Sequence, residues 1–180
     1  MKKFIITSVF CALSASAMAQ EAGINYNEAT VNYAGYKTGT TTYSGYAFGL
    51  GLMLTDNLYT LGNYQSFDSG NIHQGSLGLG YRMPVGGGAD GFFTLKYETD
   101  TETATSNGYS LGAGVRAKVT GDMDLTGAYS YRVMGSSHDY TFDGGLSYKF
   151  TSTMFGKLGF ATTSGDTSTS IYTLGLGFNF

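Results

Sequence analysis

A chain of 180 residues suits a single domain, and only 13% of its residues are charged while 28 are Gly and one is Pro. Average usage is about 25% charged and about 7% Gly, so this chain is poor in charge and rich in Gly. Its formal net charge of −3 offers no basic footprint for nucleic acid, and an overall hydropathy near zero requires apolar residues to be interleaved with polar ones.

The first segment stands apart. Lys2 and Lys3 form a positive start, residues 4–13 are mostly apolar, and Ala17-Met18-Ala19 supplies a small-x-small pattern before Gln20. This predicts a secretory signal over residues 1–19, cleaved after Ala19. Its apolar run is shorter than the roughly 20 residues a spanning helix needs. The single cysteine, Cys11, lies inside it, too early for a lipoprotein acceptor and leaving no cysteine in the processed chain, so disulfide chemistry is excluded there. With Lys2 and Lys3 removed, eight basic residues face 13 acidic ones, a net charge of −5.

Over residues 20–180 the apolar period is two, not 3.6, in segments of about ten residues. That is the pattern of a barrel strand with one face to lipid and one to the interior. In chain order, Ala29, Val31 and Tyr33 alternate with Glu28, Thr30 and Asn32. Tyr46, Phe48, Leu50, Leu52 and Leu54 alternate with small residues. The segment 58–68 has apolar residues on both parities and leaves its register open. Leu77, Leu79, Tyr81 and Met83 follow, then Phe93, Leu95 and Tyr97, then the alternation from Tyr109 to Val119. Leu125, Tyr129, Tyr131 and Val133 form the seventh segment, Tyr140 to Phe150 the eighth, and Met154, Leu158 and Phe160 the ninth. The last is Tyr172, Leu174, Leu176, Phe178 and Phe180. The count predicts an all-β, closed antiparallel up-and-down transmembrane barrel of ten strands, with eight as the alternative. Residues 55–57, 120–122 and 151–153 read as tight turns, 84–90 as a longer one holding Pro84, and 37–42, 68–73, 100–107, 134–139 and 163–169 as polar external loops.

This register sorts the charges. Arg82, Lys96, Arg116, Lys118, Arg132, Lys149 and Lys157 fall on the inward parity with Glu28, Glu98, Asp124 and Asp143, and Lys37 sits at a loop edge. A Lys or Arg facing mid-bilayer lipid costs about 2–4 kcal/mol, which accounts for the sorting. The expectation is a lumen network of ion pairs, with Arg132 and Asp143 as one pair; the alternative is a narrow pore whose excess of bases gives a positive lining. Paired glycines such as Gly112/Gly114 and Gly175/Gly177 lie inside strands rather than before a helix, so they read as room for long inward side chains and not as a phosphate cradle. Many of the 15 tyrosines fall at strand ends, as an interfacial girdle requires. Ser136-Ser137-His138-Asp139 contains the residue types of a hydrolytic triad, but neighbours in one short loop rarely converge on one reacting atom; a solvated loop is the plainer reading. Two histidines without defined spacing do not make a metal site, and no cofactor is expected.

The terminal alternation Tyr172, Leu174, Leu176, Phe178, Phe180, with phrases such as Gly108-Tyr109-Ser110-Leu111 and Gly145-Leu146-Ser147-Tyr148-Lys149-Phe150, resembles the small bacterial outer-membrane proteins related to OmpX and the OmpA barrel. The resemblance implies an outer-membrane location, a C-terminal signal read by the barrel-assembly machinery, and roles in adhesion or envelope integrity on a scaffold usually of eight strands. The sequence reading is therefore a non-enzymatic outer-membrane barrel with a structural or surface-interaction role and a largely plugged polar interior. A small porin-like channel for ions or solutes is the alternative, and a rim enzyme using His138 a third reading.

Overall fold

A computed structural model describes residues 24–67, 72–101, 105–165 and 168–180. The signal segment 1–19 lies outside the described residues. Ten strands follow in order: β1 Glu28–Thr38, β2 Thr41–Met53, β3 Leu58–Phe67, β4 Ile72–Gly86, β5 Ala89–Thr101, β6 Thr105–Lys118, β7 Met123–Met134, β8 Ser137–Lys149, β9 Met154–Ser164 and β10 Thr169–Asn179. Each pairs antiparallel with its chain neighbours, and β1 pairs with β10 from Glu28↔Asn179 to Thr38↔Thr169, closing the sheet into a barrel. Ten strands, not eight, make the wall.

Burial alternates along every strand, and the parity matches the sequence pattern. Val31, Tyr33, Phe48, Leu79, Leu95, Leu111, Phe142, Leu158 and Leu174 are exposed on the outside, while Glu28, Thr30, Asn32, Lys96, Glu98 and Asp143 are buried inside. So many large apolar side chains in one continuous outer band far exceed the patches a water-soluble surface carries. Among described residues no helix is long and apolar enough to cross a membrane; a crossing here is made by strands. In β3, where sequence parity is ambiguous, Tyr59, Leu61, Gln65 and Phe67 point inward. Gly45 and Gly51 stand opposite Phe67 and Leu61 across β2, and Gly80 opposite Tyr59 across β4. Absent side chains on neighbouring strands thus leave space for large ones on β3.

The connections are shorter than the sequence suggests. The predicted turn 84–90 contracts to two residues: β4 runs through Pro84 to Gly86, β5 begins at Ala89, and the register shifts between Pro84 and Gly86. Gly86, Gly87 and Gly88 all take positive φ (90°, 63° and 75°), a region costly for other L-residues. Of the predicted external loops, 37–42 and 134–139 are mostly strand, with two-residue turns at 39–40 and 135–136 headed by positive-φ Gly39 and Gly135. At the end where β1 begins and β10 finishes (the terminal end), each of the turns after β2, β6 and β8 is fastened by backbone bonds to the first residue of the next strand, as Leu54 N donates to Leu58 O at 2.8 Å.

Candidate functional site

Inward charges are the most concentrated chemistry in the molecule. Among described residues, five basic side chains (Arg82, Lys96, Arg116, Arg132, Lys157) and seven acidic ones (Glu28, Asp90, Glu98, Asp100, Asp124, Asp139, Asp143) are buried in the interior. Lys118 and Lys149 also take the inward parity but lie at the terminal-end rim, half-buried. Among the buried charges the balance therefore tips to acid, against the positive lining of the alternative pore reading. Asp90, Asp100 and Asp139 were assigned by sequence to turns and loops; because the strands run further than expected, the same alternation carries all three inside. Lys37 lies on the outer face of β1, exposed near its far end.

The charges form two layers. Nearer the terminal end, Lys157 Nζ donates to Glu28 Oε1 at 2.8 Å, and Arg116 Nη1 approaches the other Glu28 oxygen at 3.7 Å. Arg116 Nη2 also donates to Asp124 Oδ2 at 3.0 Å, while Arg82 Nη2 lies 3.3 Å from Asp90. Three bases and three acids balance there. Toward the far end, Glu98 takes contacts from Lys96 at 3.3 Å and Arg132 at 3.4 Å, and a short bond from the Ser110 hydroxyl. Arg132 reaches Asp139 Oδ2 at 3.5 Å. The predicted Arg132–Asp143 pair is not what forms: Arg132 turns to Glu98 and Asp139, and Asp143 sits in the field of Lys96 and Glu98. On β8, Asp139 lies directly across from Arg132 on β7 whereas Asp143 pairs with Ala128, so the registered neighbour wins.

Buried apolar clusters lie at both ends of this column. At the terminal end the stretch before β1 folds inward, placing Ile24 and Tyr26 against Tyr59, Leu61 and Met53. The Arg82 guanidinium lies 5.9 Å over the Tyr26 ring, within cation–π range. Burial, reinforced by the Asp90 carboxylate, pushes the Tyr26 phenol above its usual range. Asn27 fastens the stretch, its side-chain oxygen accepting from Met53 N at 2.8 Å. At the far end, Tyr36, Phe67, Ile72 and Ile171 cluster inside the β1–β4 and β9–β10 part of the wall. A cavity beside Glu98 and Arg132, bordered by Asn63, Gln65 and Gln74, has a volume near 10 Å³, room for about one water. The sequence analysis assigns Ile24 and Tyr26 no place; the trace of this inner cluster is their alternation with Asn25 and Asn27.

The 136–139 segment is split by the wall. Ser137 and Asp139 are buried inside, and His138 is exposed outside, where its ring stacks on Tyr131 at 6.0 Å and its Nδ1 pairs with the Tyr131 hydroxyl at 2.7 Å. His73 makes the same arrangement with Tyr64. Side chains on opposite faces of a sheet cannot converge on one substrate atom. Among described residues no group of three or more His, Cys, Asp and Glu is arranged to hold a metal. Tyr172, Leu174, Leu176, Phe178 and Phe180 all face outward and exposed.

A closed sheet with an apolar outside and an ionic inside defines the class as an up-and-down β-barrel of the membrane-spanning kind. No family model matches the sequence, and no curated protein matches it. Among solved structures the chain is similar to the KdgM porin, with a TM-score of 0.53 and 12% identity over 84% of this chain and 99% of that one. It is similar also to the NanC porin, with a TM-score of 0.52 and 10% identity over 83% of this chain and all (100%) of that one. At such identities the likeness is one of architecture.

Proposed function

We propose that this protein is a non-conducting, non-enzymatic barrel of the bacterial outer membrane, serving envelope structure or surface interaction. The observation that carries the reading is the burial of the interior side chains: two layers of ion pairs, with apolar clusters of Tyr26 with Tyr59 and of Tyr36 with Phe67 toward the two ends. Small barrels of about eight strands are commonly filled by side chains, and ten strands enclose only slightly more. The location is supported by the apolar outer band, by the leader-like residues 1–19 and by the architecture shared with outer-membrane porins. The outward row ending at Phe180 fits an assembly signal for the barrel-insertion machinery. Among the described residues, Ser137 and Asp139 lie on the opposite face of the wall from His138, and no catalytic role is assigned.

Planar-bilayer recording tests the central point. The purified barrel, inserted from detergent, is expected to give no stable conductance steps. Reproducible open steps of fixed size would overturn the plugged reading in favour of the porin-like alternative.

A further inference from the structure

The outer wall is not uniformly convex. Across β6 to β10 and β1 it holds an open hollow of about 860 Å³. Its floor includes three outward glycines, Gly35, Gly127 and Gly144, and a side chain added at any of them would meet nothing within 4 Å. At other outward glycines an added side chain would touch a neighbour, as Gly62 would Leu77, Gly91 Val85 and Gly156 Phe150. Gly127 and Gly144 stand directly opposite each other on β7 and β8, so two bare positions coincide. Leu146, Leu158 and Phe160 flank them.

From this we infer that the hollow is a binding site for a fatty acyl chain of a membrane lipid, held more firmly than the lipid around it. The inference rests on the membrane reading above. The hollow is continuous with the apolar band, so in a bilayer something without hydrogen-bonding groups must fill it, and an unfilled hollow forfeits dispersion contacts along its whole lining. A flexible hydrocarbon chain follows a trough one side chain deep. A second copy fits less well. A two-fold axis through this face would set hollow against hollow. Seating the bulky Leu77, Leu79 and Phe93 face of another copy in the trough gives a heterologous contact, which closes into a ring only at particular rotations.

The test uses the full barrel in phosphatidylethanolamine–phosphatidylglycerol vesicles with a trace of phospholipid spin-labelled near the end of its acyl chain. The number of motionally restricted chains per barrel is expected to fall in Gly127→Leu/Gly144→Leu and to stay unchanged in Gly62→Leu, an outward control beyond the hollow. Should the double variant not fold, Gly35→Leu probes the other side of the trough. Equal restricted fractions in wild type and filled variants overturn the site, as does a cross-linked dimer that the filling substitutions abolish. Failure of the wild type to insert into vesicles at all would instead remove the membrane reading, so the two failures are distinguishable.

Discussion

Arg116 joins two acids on different strands, Glu28 and Asp124, through its two terminal nitrogens. Taking it away leaves both carboxylates buried with less compensation, a loss that costs about 3–5 kcal/mol when one member of a buried pair is removed. Arg116→Met is therefore expected to lower unfolding stability by about that much in urea titrations of vesicle-inserted protein. Adding Asp124→Asn should return part of the loss, because one uncompensated carboxylate goes with it, while Glu28 keeps Lys157 as its partner. Gly80 is governed by space rather than charge. A Cβ built there would run into the Tyr59 ring, and overpacking of this sort costs about 1–3 kcal/mol. Gly80→Val should show that penalty beside Tyr59 and lose most of it in a Tyr59→Leu background, as a double-mutant cycle would record.

Among the elements, β3 tests the inside–outside assignment most sharply, since apolar residues occupy both of its faces. Cysteine introduced by Thr60→Cys or Tyr64→Cys is expected to react with a lipid-soluble maleimide, whereas Leu61→Cys and Gln65→Cys stay silent until the barrel is unfolded. The reverse pattern would put the strand in the opposite register. Elsewhere the strands were legible because a period of two survives any uncertainty in their ends: Tyr109 to Val119 and Tyr172 to Phe180 could be read without knowing what they paired with. The ends were not legible. Polar stretches such as Asp100–Thr101 and Ser137–Asp139 look like loop by composition, yet they continue the ladder, and backbone pairing does not depend on hydrophobicity. That misreading hid Asp90, Asp100 and Asp139 from the interior list and produced the false excess of bases. Pair identities were hidden for a different reason. Parity says which residues share the lumen, but only cross-strand register says that Arg132 faces Asp139.

For the molecule as a whole, each buried base in the lumen is matched to an acid, and acids are in excess at one end. The layer around Glu28 balances, and the layer around Glu98 carries four acids against two bases. Side chains buried this completely among the described residues are the basis for expecting silent bilayers. Fold alone does not select a role; what narrows it is that the inside is occupied and the outside is oily apart from the rims.

The wall also follows the chain without a crossing, each strand lying beside its predecessor and successor, with β1 and β10 meeting along eleven residue pairs. That seam joins the strands furthest apart along the chain, so the largest loop closure of the barrel falls there. Because the Phe180 amide already donates to the Asn27 carbonyl at 3.1 Å, a short peptide bridge could join the two ends and a new opening be cut at Gly135. Such a circularly rearranged gene is expected to yield the same tube, with its largest loop closure moved to the β7–β8 edge.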